Sequence, residues 1–224
     1  FAIARNGAVR AVVLTGAGTH FSVGGDVKQM SERPGGDFLD EGEHWDPVVS
    51  RRLVNNMLEL EKPVIAALNG DCAGLACTIA LFCDIQVMSA EARIGDPHVR
   101  VGLVAGDGGA VIWPLLVGMS RAKEFLMRGT LLKGPDAERL GLVNYSVPKA
   151  DVLPKAMEIA RELAQGAPMA VRWTKMALNA VIKQNALLVQ PAAHAYEHLT
   201  IESADHKEAA SAFKEKRKPT FKGY

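Results

Sequence analysis

The chain has 224 residues, 48% of them hydrophobic, which suffices for one sizeable core and a small appendage. Lys and Arg number 26 against 25 Asp and Glu, a formal net charge of +1, so no global field points to nucleic acid or a membrane surface. No apolar run reaches the roughly 18 residues of a membrane span, and no signal peptide is visible, so a cytoplasmic protein is expected.

Phe1 to Arg5 reads as the tail of a helix, which predicts that earlier elements are missing from this sequence. Ala8 to Leu14 (AVRAVVL) is β-branched and apolar and runs into Thr15-Gly16-Ala17-Gly18, a buried strand ending in a turn. Phe21 to Asp26 is a glycine-bearing loop entering a short helix from Val27 to Met30. Residues 31–47 lack periodicity and predict a surface loop. Arg51 to Leu60 has helical spacing, stopped by Lys62-Pro63. Pro63 to Leu68 is a second buried strand, Gly74 to Phe82 an apolar helix, and Asp84 to Ser89 and Ala92 to Ile94 further strands. Cys72, Cys77 and Cys83 fall in this apolar stretch, and no ligand completes a zinc spacing, so buried reduced thiols are expected. A Gly-rich stretch from Gly102 to Gly109 leads into a helix through Val117. From Ser120 the pattern is almost entirely helical: Arg121 to Arg128, Gly134 to Leu140, Val152 to Gln165, Ala167 to Ala180 and Leu187 to Ala204. The tail gathers Lys214, Lys216, Arg217, Lys218 and Lys222, either a solvated run or an anion contact. Alternating strands and helices give an α/β class: a core over 1–150 and a helical region over 151–224.

Two glycine corners carry the first chemical signal. At Gly24-Gly25-Asp26 and Ala73-Gly74-Leu75 a strand gives way to a helix start, where unpaired N–H groups cluster. Two such donors aimed at one point hold a carbonyl oxygen as it gains charge, and glycine permits close approach. Simple tight turns are the competing reading. A dinucleotide site after Leu14 is excluded, since the third glycine and the downstream acidic residue do not follow.

These corners sit in a longer pattern. The segments Thr15-Gly16-Ala17-Gly18, FSVGGDVK, KPVIAALNGDCAGLACTIALFCDI and GDPHVRVGLVAGDGG, with the tail SADHKEAASAFKEKRKPTFKGY, resemble the crotonase (enoyl-CoA hydratase/isomerase) superfamily in order and spacing. The resemblance implies stacked ββα units with a C-terminal helical trimerisation region, and trimers often paired as hexamers. It implies an acyl-CoA thioester polarised by the backbone N–H groups of Gly25 and Leu75. It further implies CoA as part of the substrate, with no permanent cofactor and no metal. Lys28 matches the position that approaches the CoA pyrophosphate, and Lys218 and Lys222 those that reach a neighbouring subunit's CoA.

The pattern departs from the family at its acid/base positions. Hydratases there use two glutamates, and this chain has Thr78 and His98. A threonine has no useful pKa for proton transfer, whereas a histidine is readily poised near neutral pH. Asp107, nine positions past His98 in Gly106-Asp107-Gly108, is expected to orient His98 as a general base; a pocket-wall histidine and a helix-capping aspartate are the bland alternatives. The His98/Asp107 spacing and the following Trp113-Pro114 are similar to family members that hydrolyse a carbon–carbon bond in a cyclic β-diketone without CoA. That similarity implies a role for Glu197, otherwise an ordinary helix-surface acid. A histidine those enzymes use falls at Leu75 here and is absent. Three readings stand open: an acyl-CoA enzyme of hydratase/isomerase type, a retro-Claisen hydrolase, and a catalytically silent acyl-CoA binder.

Overall fold

The computed structural model describes residues 2–25 and 47–224. The helix expected over Val27–Met30 and most of the loop expected over 31–47 lie outside the described residues. The element order is α1 (Ala2–Arg5), β1 (Val12–Thr15), α2 (Pro47–Glu59), β2 (Val64–Leu68), β3 (Cys72–Ala73), α3 (Leu75–Phe82), β4 (Ile85–Ser89) and β5 (Arg93–Gly95). A 3₁₀ turn (His98–Val101), α4 (Gly109–Val117), α5 (Met119–Arg128), β6 (Leu131–Lys133), α6 (Gly134–Arg139) and β7 (Tyr145–Val147) follow. A second 3₁₀ turn (Lys149–Asp151) and three helices complete the chain: α7 (Val152–Gln165), α8 (Pro168–Ile201) and α9 (Ala204–Lys214).

Two sheets organise this α/β architecture. One is parallel, in the order β1-β2-β4-β7; the other runs β3-β5-β6, with β6 antiparallel. The chain visits them alternately. β2, β3 and α3 form one unit, and β4, β5 and α4 the next, each giving one strand to each sheet before its helix. The continuous apolar run of β2 is explained by burial on both faces. Ile65 and Ala67 pack with Val87 against Val152, Ala156 and Ile159 of α7. The alternate residues Val64, Ala66 and Leu68 pack with Met88, Cys77, Leu81 and Trp113 on the other side. Residues 151–224 thus supply a layer of the core through α7. Cys72, Cys77 and Cys83 are free and buried, and burial pushes the Cys83 thiol up to about 12, so these thiols have no thiolate character.

The structure corrects several sequence expectations. β1 begins at Val12, where pairing with Val64 starts, and leaves out Ala8 to Ala11. The stretch after Ser120 is not purely helical: β6 and β7 are three-residue strands at sheet edges, too short to show alternation. The two helices expected over Ala167–Ala180 and Leu187–Ala204 are one, α8, with Pro191 inside it. The buried residues of α8 include Lys175, Asn179, Gln190 and His194, while Met169, Trp173, Leu178, Val181, Leu187, Leu188, Tyr196 and Leu199 are exposed. The amphipathic pattern is inverted, so a search for an apolar inner face finds a break where none exists. Tertiary contacts hold the helix instead. Asn179 Nδ2 donates to the Leu58 carbonyl at 3.0 Å, in the last turn of α2. Lys175 Nζ donates to the Lys62 carbonyl at 2.9 Å and to Asp84 Oδ2 at 2.8 Å.

Candidate active site

The two glycine corners meet because of one backbone pairing. Ser22 bridges Cys72 in parallel, with Ala73 N donating to Ser22 O at 3.0 Å. This brings Gly24-Gly25 alongside Gly74-Leu75. Gly24 has φ 87°, and a Cβ there would stand 2.9 Å from the Ala73 carbonyl and 3.6 Å from the Leu75 amide nitrogen. Gly74 has φ 61°, and its Cβ would stand 3.9 Å from Gly24 Cα and 4.0 Å from His98 Nε2. Gly24 needs glycine for conformation and for space, Gly74 for conformation. Leu75 is the first residue of α3, so its N–H has no acceptor within the helix. The Leu75 amide, the corner that carries the Gly25 amide, and the His98 ring therefore border one volume. Amide donors at such a point stabilise an oxyanion. Lys28 lies outside the described residues.

His98 opens the 3₁₀ turn, and its partner differs from the expectation. The Nδ1 atom is engaged by Asp96 Oδ1, two residues earlier, in a short contact. Asp107 stands on the other side, its Oδ2 3.8 Å from His98 Nε2, an ion-pair distance beyond hydrogen-bond reach. The orienting carboxylate is thus Asp96, a residue the sequence argument passed over although Asp-x-His was in view. Asp107 makes a different bond: Thr78 Oγ1 donates to its Oδ1 at 2.9 Å. The Gly109 amide donates to the same oxygen at 3.3 Å, so Asp107 does lie at the start of α4, as a capping residue would. Its Oδ2 is buried and has no hydrogen bond among the described residues.

The electrostatics follow from this layout. Burial alone would depress the His98 pKa, but the facing carboxylates of Asp107 and Asp96 outweigh it and raise it to about 10. His98 is therefore an imidazolium at neutral pH. Burial raises Asp107 to about 6, helped by the charges of Asp96 and Glu197 and opposed by His98 and the Thr78 hydroxyl. Asp96, His98 and Asp107 offer three ligand atoms within 4.8 Å of one another.

The loop that carries Asp107 is hemmed in on three sides. A Cβ at Gly106 would stand 2.6 Å from the Ala193 carbonyl and 2.7 Å from Glu197 Oε2, both on α8. At Gly108, with φ 126°, it would meet Phe82, Thr78 and Val54 at 2.8–3.1 Å. Glu197 therefore lies against the Asp107 loop, and its charge bears on both His98 and Asp107. Gly106→Ala must displace helix backbone, and we expect it to cost about 1–3 kcal/mol, read as a lowered denaturant midpoint with parallel loss of any turnover. An unchanged midpoint would mean that the loop and α8 are not in contact as described.

The C-terminal lysines are placed elsewhere. Residues 217–224 fold back on α9 of their own chain: the backbone N–H groups of Lys222 and Gly223 donate to Asp205 at 2.6 and 2.9 Å, and Tyr224 O accepts from Ala204 N at 2.8 Å. Among the described residues, neither the Lys218 nor the Lys222 ammonium is hydrogen-bonded to the His98 group. A cavity of about 360 Å³ opens away from this site, lined in part by Arg5, Arg10, Lys62 and Arg172. Three of these cations are engaged, Arg10 by the Ala164 carbonyl, Lys62 by the Ile3 and Asn6 carbonyls and Arg172 by Glu61.

Comparison with known proteins places the chain among relatives. The family model described as enoyl-CoA hydratase/isomerase matches residues 1–224. The short-chain-enoyl-CoA hydratase of Clostridium acetobutylicum is 37% identical over 214 residues, covering 94% of this chain and 79% of that protein. The crotonyl-CoA hydratase of Syntrophomonas wolfei is 34% identical over 218 residues, covering 96% of this chain and 81% of its own length. A crystal structure of an enoyl-CoA hydratase/isomerase from Mycobacterium paratuberculosis superposes with a TM-score of 0.84 at 32% identity, covering 94% of this chain and 82% of that one.

Proposed function

The chain belongs to the enoyl-CoA hydratase/isomerase family, and from that premise we propose that it adds water to an enoyl-CoA thioester with Asp107 and His98 in place of the family's two glutamates. The observation that carries this reading is the 2.9 Å bond from Thr78 to Asp107. Thr78 stands where the family pattern has a glutamate, and here it holds a carboxylate delivered from another loop. The site thereby regains one anionic and one proton-bearing group.

The roles follow from the proton inventory. The thioester oxygen sits between the Gly25 and Leu75 amides, which take its developing charge. Asp107 Oδ2 accepts a proton from water as the water oxygen bonds to the β-carbon. The imidazolium of His98, oriented by Asp96, gives its Nε2 proton to the α-carbon of the resulting enolate. The proton now on Asp107 then returns to His98 across the 3.8 Å between them, and the site is restored. His98 acts here as the acid and Asp107 as the base, whereas the sequence suggested His98 as the base and Asp107 as the group that orients it.

Lys28 from within the subunit, and Lys218 and Lys222 from a neighbouring one, remain the proposed contacts for CoA phosphates. The exposed apolar residues of α8, Leu187 at 76% and Leu188 at 74% among them, support a homotrimer or a dimer of trimers. The described residues include no helix long and apolar enough to cross a membrane.

A second reading is favoured by one observation. Glu197 adds a third carboxylate that bears on His98 and Asp107 by its charge but transfers no proton in hydration, and C–C hydrolysis of a β-diketone is the reaction of the family members in which that position is functional. A turnover screen with crotonyl-CoA, a β-ketoacyl-CoA and a cyclic β-diketone separates the two. We expect 3-hydroxybutyryl-CoA from crotonyl-CoA and no cleavage of the diketone. The converse result establishes the second reading; CoA binding without any turnover leaves the chain as a silent acyl-CoA binder.

A further inference from the structure

His194 is buried inside α8, its side chain 2% exposed, and among the described residues neither ring nitrogen makes a hydrogen bond. An imidazole in such a place leaves two polar atoms desolvated, which is unfavourable for each one left without a partner. A packing role alone would be served at lower cost by leucine. Its Nδ1 lies 3.7 Å from Glu197 Oε2, one turn along the same helix, so a small rotation closes the pair. Glu197 in turn is pressed against Gly106, beside Asp107.

We propose that His194 is a positioning residue for Glu197, holding that carboxylate toward the Asp107 loop through its Nδ1–H. Three carboxylates, Asp96, Asp107 and Glu197, converge in this part of the molecule. Asp96 is matched by His98. Asp107 receives the Thr78 hydroxyl. Glu197 Oε2 has the His194 ring beside it. Each acid thus has a designated donor of its own. His194 lies on the buried face of α8, with Glu197 beside it at a spacing of three and 15% exposed, and the pairing gives the buried imidazole a polar partner.

The inference rests on the reading that Glu197 serves the site, so its test needs a readout that is independent of turnover. The first measurement is ¹⁵N NMR of the imidazole nitrogens, with His194 assigned by loss of its signals in His194→Asn. Nδ1 is expected to carry the proton, and both ring resonances are expected to move in Glu197→Gln. An Nε2–H tautomer indifferent to Glu197→Gln would overturn the proposal, whatever the enzyme turns over. The second measurement is kinetic, on crotonyl-CoA. His194→Leu is expected to lower kcat about 10- to 100-fold, with KM within about twofold, as for a mispositioned group. His194→Asn keeps a donor at the Nδ1 position and should recover most of the loss. In a Glu197→Gln background His194→Leu should add nothing; an equal loss there means that His194 acts through packing and sinks the idea. Wild-type protein inactive on every substrate refutes the hydratase reading alone, and the NMR result still decides the role of His194.

Discussion

Replacing Asp107 by asparagine is expected to lower turnover of crotonyl-CoA by about 10²- to 10⁴-fold, the usual contribution of a general base, while acyl-CoA binding stays within a few-fold. The substitution is nearly isosteric. The carbonyl of the introduced amide would still accept the Thr78 hydroxyl and the Gly109 amide, which now bond to Asp107 Oδ1 at 2.9 and 3.3 Å. What disappears is the charge on the second oxygen, the atom without a hydrogen bond that faces His98 Nε2. If Asp107 merely capped α4, asparagine would serve equally well, being as good a cap, and turnover would be unchanged. Single-turnover rates with a fixed acyl-CoA affinity distinguish the outcomes. Thr78→Val provides a second check with a defined sign. The Thr78 bond lowers the Asp107 pKa, so its removal should move the acid limb of the activity profile upward from about 6.

That variant also shows where sequence reasoning reaches and where it stops. The glycine corners were legible because their cause is local: Gly24 and Gly74 take positive φ, and at Gly74 a strand meets a helix. His98 was legible by position. The proposed assignment of acid to His98 and base to Asp107 was not, because it depends on three side chains meeting from residues 78, 96 and 107. Asp96 is adjacent in sequence, yet only the 3₁₀ turn starting at His98 directs its carboxylate onto Nδ1. The absent glutamate at position 78 suggested a lost function. In the fold a threonine hydroxyl recovers a carboxylate from 29 residues downstream. Helix α8 was misread for a related reason. Its inner face is occupied by Lys175, Asn179, Gln190 and His194, the first two of which answer to carbonyls and a carboxylate elsewhere in the chain, so hydrophobic periodicity had nothing to find.

The pH dependence of kcat/KM decides which of His98 and Asp107 is the base. With Asp107 as base the carboxyl must be ionised, so activity falls as pH drops through about 6. With His98 as acid the ring must be protonated, so activity falls as pH rises through about 10. The expected profile is a bell with a broad plateau across neutral pH. The two groups face each other across 3.8 Å, so these limbs belong to the pair as a unit. Were His98 instead the base, it would have to be neutral. At pH 7 a group with pKa about 10 is neutral in about one molecule in a thousand, and the rate would climb by about that factor between pH 7 and pH 10. Asp96→Asn sharpens the comparison. It removes one of the carboxylates that keep the ring charged, so the basic limb should move to lower pH. It also removes a charge that raises Asp107, so the acid limb should move to lower pH as well. If the basic limb stays in place or moves upward, Asp96 is not the partner that holds the proton on His98. A monotonic rise toward high pH would return His98 to the role of base and leave Asp107 with only its cap.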